Sequence, residues 1–258
     1  MNIYLNRLRD ILSLSFCESN KKLKIKIFIG SESRKEALCL ELIALEMGAK
    51  TCSMLFLVAL ATYAGIFEFP EINPTYWIPN NLISFSKCLS AKTYNYWVHF
   101  YEDDYLFERI WRKPRKYLEV LKRFNGVILP DFSLYRDMPL VMQLWNIYRS
   151  RAIGHWLQKN GIRVIPNIRF GDKRTYRICC DGISKHCVIA VGSHGNLRNP
   201  IDRKIFLDGL DVVVKRLQPK AIVVYGAAPE KYFKKYRDAG IEIVQFDSSF
   251  ATSHKEVV

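Results

Sequence analysis

Val188-Ile-Ala-Val-Gly-Ser-His-Gly195 decides the fold class. Its apolar run has no alternating polar face, so both sides of the strand are covered, the pattern of a parallel sheet flanked by helices. The run then ends in Gly-Ser-His-Gly, where glycines permit unusual backbone angles and the close approach of a ligand. Four other stretches repeat this plan: Gly126-Val-Ile-Leu-Pro-Asp-Phe-Ser133, Val164-Ile-Pro-Asn-Ile-Arg-Phe-Gly-Asp172, Ala221-Ile-Val-Val-Tyr-Gly226 and Ile243-Val-Gln-Phe-Asp-Ser248. Ligands of parallel α/β sheets sit at the carboxyl ends of strands, so these polar tips locate a site.

Strand starts near 82, 97, 127, 163, 187, 221 and 242 give seven strands, with helical stretches between the later ones. The helix after Ser133 is expected to start at Asp137 as N-cap, with Pro139 in its first turn. Val141, Trp145, Tyr148, Ala152 and Trp156 recur at spacings of three and four and predict its packed face. Asn160-Gly161 closes it. Further helices are expected over 202–217, stopped by Pro219, and over 230–239, closed by Gly240. The expected class is α/β with parallel βα repeats and right-handed crossovers. TIM-barrel-like closure is favoured over an open doubly wound sheet, although roughly 175 residues is short of the usual ~250.

Residues 1–62 read as an N-terminal extension or a fused βα piece, and 63–258 as the α/β domain. In the first part, Lys24 to Ile29 alternates like a strand, Gly30-Ser-Glu-Ser33 is a turn, and Arg34 to Met47 is an amphipathic helix. Thr51 to Phe67 carries no charge over 17 residues, the lower edge of a membrane span. Gly65 and Glu68-Phe-Pro70 point instead to a buried helix that stops and turns, so no membrane partner is expected. Met1 to Asp10 is charged and lacks the apolar core of a secretory signal.

The chain has 258 residues, 49% of them hydrophobic, enough for a sizeable core and too many for general disorder. Its 39 basic and 25 acidic side chains leave a net charge of +14, which favours an anionic ligand or nucleic acid as partner. The seven cysteines are odd in number and form no C-x-x-C pair, against a disulfide framework or zinc ribbon. A reducing, cytoplasmic location fits best.

The tips supply the candidate chemistry. Asp131 is a candidate general base or metal-binding carboxylate, with Arg136 nearby as an anion anchor. Asn167 and Arg169 share a strand face and suit a phosphate or carboxylate, the alternative being a loop ion pair between Arg169 and Asp172. His194 is a candidate acid–base group beside Ser193, and Tyr225 offers a phenol to a ligand. Asp247, at the last tip, is a second catalytic carboxylate. Two or three carboxylates with His194 could hold Mg²⁺ or Mn²⁺, but no spacing here has the specificity of a known metal motif, so no cofactor is assigned. His99, Glu102, Asp103 and Asp104 form a further polar cluster at a strand end.

Trp97-Val-His-Phe-Tyr-Glu-Asp-Asp104, Gly126-Val-Ile-Leu-Pro-Asp-Phe-Ser-Leu-Tyr-Arg-Asp-Met-Pro139, Trp145-Asn-Ile-Tyr-Arg149, Val164-Ile-Pro-Asn167 and Val223-Val-Tyr-Gly226 resemble the domain-of-unknown-function family 4417. The resemblance runs from about Phe67 onward. It implies a bacterial, phage or mobile-element setting and no established activity or catalytic residue. Three functions stay open: an enzyme acting on a phosphate-bearing substrate, a nucleic-acid-binding module without catalysis, and a protein that binds a host factor.

Overall fold

Seven apolar runs become seven strands, and every pairing between them is parallel. The structure is a computed structural model and describes residues 54–248. The strands are β3 (Leu82–Ser84), β4 (Trp97–His99), β5 (Gly126–Ile128), β6 (Val164–Ile165), β7 (Val188–Gly192), β8 (Ala221–Tyr225) and β9 (Glu242–Phe246). They follow a small antiparallel hairpin of β1 (Tyr63–Ala64) and β2 (Phe69–Pro70). Helices α1 (Phe85–Cys88), α2 (Asp104–Phe107), α3 (Arg109–Arg112), α4 (Pro114–Leu121), α5 (Leu140–Lys159), α6 (Pro200–Leu217) and α7 (Glu230–Asp238) fill the connections. The expected strand at Lys24 to Ile29, the helix from Arg34 and the C-terminal tail lie outside the described residues.

The strands lie in sequence order. One ladder joins β3, β4, β5 and β6, and a second joins β7, β8 and β9. Pro166 stops the first ladder, since it has no N–H to donate. Its carbonyl still accepts from Ala190 N–H at 2.9 Å, and Ile168 N–H donates to Ala190 O at 2.8 Å, so the chain beyond β6 pairs with β7.

This sheet is curled. His99 at the tip of β4 and Tyr225 at the tip of β8 have ring centroids 4.7 Å apart, although β5, β6 and β7 separate them in the strand order. At about 4.8 Å per strand, a flat sheet would hold β4 and β8 about 19 Å apart. The interior this creates holds Leu82, Trp97, Ile128, Ile165, Val188, Ala190, Ala221, Val223 and Phe246, at least one residue from each of the seven strands. The alternate residues Val98, Val127 and Val164 face a cluster with α1, α4 and part of α5, while Ile189, Val191, Ile222 and Val224 face one with α6 and α7. Burying each such side chain contributes roughly 1.5–3 kcal/mol. The α/β class and the parallel repeats are as expected. Among the described residues no ladder joins β3 to β9, so hydrogen-bonded closure of TIM type is not part of the structure.

Three expectations need correction. From Met54 on, the uncharged stretch forms a single 3-10 turn, Leu55–Val58, and then the hairpin, because Leu60 and Gly65 adopt positive φ and break any helix. No helix among the described residues is long and apolar enough to cross a membrane. Asp137 caps nothing: α5 starts at Leu140 with Pro139 at its N-cap position. The predicted face of α5 is also wrong at its start, for Val141 is 71% and Trp145 48% exposed, whereas Ala152 and Trp156 are buried. Cys88, Cys179, Cys180 and Cys187 are free and buried, and the other three cysteines lie outside the described residues.

Gly126 makes room in the interior for Trp97, since a Cβ there would stand 2.3 Å from the indole ring. Gly126→Ala is therefore expected to lower stability by about 1–3 kcal/mol through overpacking. A urea midpoint at or above that of the native chain would show that Trp97 yields. His99 is 5% exposed and its Nδ1 accepts the Tyr101 N–H at 3.1 Å. Burial, with the charge of Lys87, pushes its imidazole down to about 3, so the folded chain holds it neutral. The unfolded chain protonates it near 6.5, so this contribution is present above that pH and is lost as pH falls from about 6.5 towards about 3. The stability gap between native chain and His99→Phe is expected to narrow by up to about 1.4 kcal/mol per pH unit in urea titrations below pH 6.5. A constant gap would contradict it.

Candidate functional site

Asp131 lies three residues beyond β5, and its carboxylate meets the chain that extends β6. Asn167 Nδ2 donates to Oδ1 at 2.7 Å, and Arg169 Nη1 donates to Oδ2 at 2.6 Å. Alternation along that extension puts both donors on one face. Tyr101, beyond β4, donates its hydroxyl to Asn167 Oδ1 at 2.9 Å, which fixes the amide with its nitrogen towards Asp131. The Tyr101 ring stacks on Tyr225 with centroids 4.6 Å apart and planes 10° from parallel. A side chain at residue 192 would crowd this group, as a Cβ on Gly192 would stand 3.2 Å from the Tyr101 ring. Burial pushes the Asp131 carboxyl above the usual range, Arg169 and Asn167 hold it down, and Asp104 raises it, the net direction being upward. Burial also raises the Tyr101 phenol well above its usual value, so it stays protonated and donates.

These groups wall a cavity of about 790 Å³ at the carboxyl ends of the strands. Asp131, Arg169, His194 and Tyr225 all line it, with Tyr101 and Gly192. A second cavity of about 430 Å³ adjoins it and shares Tyr135, Arg169, Gly192 and His194. Arg136, Asp137, Asn196 and Asp202 line that smaller lobe, where Arg136 pairs with Asp202 at 2.9 Å.

Helix α5 positions the loop that carries Asp131. Its inward side is polar. Gln143 Nε2 donates to the carbonyls of Tyr135 (3.2 Å) and Met138 (3.0 Å), Asn146 Nδ2 to Ser133 O (2.7 Å), and Ser150 Oγ to Pro130 O (2.9 Å). Residues 143, 146 and 150 follow one another at helical spacing and tie residues 130–138 down. The acidic tip beyond β4 is held to the same loop, since Asp104 accepts from Ser133 Oγ at 2.9 Å and from its N–H at 3.2 Å. Arg149 bonds both oxygens of Glu108 at 2.8 and 2.9 Å and lies 3.9 Å from the Phe132 ring centroid.

Of the residues expected at the site, Asp131, Arg169, His194 and Tyr225 meet on one cavity, Asn167 stands directly behind them, and Arg136 lines the adjoining lobe. The alternative Arg169–Asp172 pair does not form: Arg169 bonds Asp131, and Asp172 bonds Arg174. Ser193 is 2% exposed and donates to Ala227 O at 2.7 Å, outside the walls of either lobe. Gly226 (φ +111°) is needed there, because a Cβ on it would stand 2.7 Å from Ser193 Oγ. Asp247 accepts from Gln245 at 3.2 Å and also lies outside both walls. Among the described residues no three His, Cys, Asp or Glu side chains gather to hold a metal ion. Sequence reasoning missed Tyr101, Tyr105, Met142, Trp145 and Arg149. The acidic tip at Glu102 to Asp104 was visible, but Trp145 was assigned to the core by its spacing.

A family model described as "Domain of unknown function (DUF4417)" matches residues 61–247. The chain is 34% identical over 166 residues to the Gene 1 protein of Mycobacterium phage D29, covering 63% of this chain and 62% of that protein. It is 35% identical over 167 residues to the Gene 1 protein of Mycobacterium phage L5, covering 63% of this chain and 72% of the relative. The match thus spans about three-fifths of the D29 protein's length. No solved structure matches the chain. With that model covering most of its length, including every strand from β1 to β9, the chain belongs to the DUF4417 family.

Proposed function

We propose that the strand-tip cavity is an active site for a phosphate-bearing substrate, a nucleotide or nucleic acid, and that Asp131 is its proton acceptor. The observation that carries this reading is the buried carboxylate of Asp131, oriented by Asn167 and Arg169 on the wall of a cavity of about 790 Å³. A carboxyl with a raised pKa, fixed in direction at a cavity wall, suits general base work. Arg169 uses Nη1 on Asp131 and lines both lobes, leaving its other N–H groups for a phosphate. His194 lines both lobes as the proton shuttle, and Arg136 supports the anion in the smaller one. The curled sheet supports a barrel of TIM type left open between β3 and β9, an architecture that keeps its sites at the carboxyl ends of strands. Asp247 has no part in this reading.

A second reading, nucleic-acid binding without catalysis, is favoured by the net charge of +14. Turnover separates the two. The purified protein is incubated with nucleoside mono-, di- and triphosphates and with phosphorylated oligonucleotides, and products are resolved by chromatography. Asp131→Asn is expected to lower the rate by roughly 10²–10⁴ with little change in binding. Arg169→Met is expected to weaken binding itself. Full turnover in both Asp131→Asn and His194→Asn would end the roles given to Asp131 and His194, and no turnover of any of these substrates by the native chain would end the enzymatic reading. Binding without turnover, weakening steeply as salt rises, would favour the second.

A further inference from the structure

Four of the thirteen large apolar side chains exposed among the described residues line one cavity: Tyr105, Tyr135, Met142 and Trp145. Exposed apolar groups concentrated at a cavity mouth mark a binding surface. Trp145 is 48% exposed yet held in place. Tyr148 stacks on it with centroids 5.7 Å apart and planes 11° from parallel, and Trp111 meets it at 5.4 Å and 85°. A ring fixed before binding loses little conformational freedom when a ligand stacks on it. Tyr105, at 76% exposure, stands on the same wall.

Charge divides the two lobes. The larger one carries Glu102, Asp103, Asp104 and Asp131 against Arg149 and Arg169. Its carboxylates repel a phosphate and accept hydrogen bonds from amino groups. The smaller lobe sets Arg136 and the shared Arg169 against Asp137 and Asp202, with His194 beside them, and so lacks the larger lobe's excess of two carboxylates. A ligand with a planar, amino-bearing ring at one end and a phosphate at the other matches both.

Resting on the phosphate reading above, we infer that the aromatic wall of Trp145 and Tyr105 binds an amino-bearing nucleobase, with the phosphate turned towards Arg169 and His194. The substrate is then a nucleoside phosphate, either a free nucleotide or the end of a strand.

The test uses the full chain with AMP, UMP, ribose phosphate, adenosine, and a short oligoadenylate carrying a terminal phosphate. Binding is followed by tryptophan fluorescence and calorimetry. AMP is expected to quench fluorescence and to bind more tightly than UMP or ribose phosphate. Trp145→Ala and Tyr105→Ala are each expected to weaken AMP about ten-fold, while ribose phosphate is unaffected. Trp145→Phe restores most of the loss, and Tyr105→Ala, at an exposed position, keeps the test valid if Trp145→Ala misfolds. The relative affinity of AMP and the oligoadenylate identifies the source of the base. Equal binding of AMP and ribose phosphate, unchanged in both alanine variants, overturns the inference and leaves the phosphate reading standing. Binding of adenosine as tight as AMP, with ribose phosphate silent, keeps the base wall and overturns the phosphate reading. No binding of any probe overturns both.

Discussion

The carboxylate of Asp131 joins two strand tips that no ladder joins. Beyond Ile128 and Ile165 the β5–β6 pairing ends, and Pro166 cannot extend it. Asn167 and Arg169 replace it with two side-chain bonds to one carboxylate. The same Asn167 pairs through its backbone with Ala190 on β7 and through its amide with Tyr101 beyond β4. Four strands are thereby referred to a single group at the rim. Such a group need not add to stability. Removing a charged pair from a partly buried position can be neutral once both partners go, whereas removing one partner leaves the other unpaired. Its value is positional, which is why it sits at the cavity rather than in the apolar interior.

Below this clamp lies a fully buried cation. Arg151, 1% exposed, donates to Asn167 O at 3.2 Å and to Cys179 O at 2.7 Å, while its Nε has no partner. Burial lowers its pKa to about 10, so it remains charged at neutral pH. Two carbonyls from different segments converge on it, and one belongs to the residue that orients Asp131. Asn167 is thus held from both sides: its backbone by Arg151 and Ala190, its amide by Tyr101.

The fold was legible because a parallel strand covered on both faces leaves a run of Val and Ile that little else produces. All seven strand starts fall within about two residues of their expected positions, the usual scatter of element boundaries. Curling was expected as closure of TIM type; what was not legible is that no ladder among the described residues joins β3 to β9. The site was half legible. Polar residues at strand ends announce themselves, so Asp131, Arg169, His194 and Tyr225 could be named singly. Asn167 could be named too, but not the bonds that join these groups, since Asn167 bonds Asp131 across 36 residues and Tyr101 bonds Asn167 across 66.

Helix α5 explains the largest error. Periodicity finds an apolar face and assigns it to the core. Here Gln143, Asn146 and Ser150 face inward because the loop beneath them offers carbonyls, and a buried carbonyl without a donor is costly. Each polar side chain that meets one removes that cost while fixing the loop in place. Once the inward positions are polar, the first turns of the helix turn Val141, Met142 and Trp145 outward. The aromatic wall of the cavity and the rigid seating of Asp131 are therefore two faces of one arrangement. A helix that anchors the Asp131 loop through its polar side presents the apolar side chains of its first turns to the cavity.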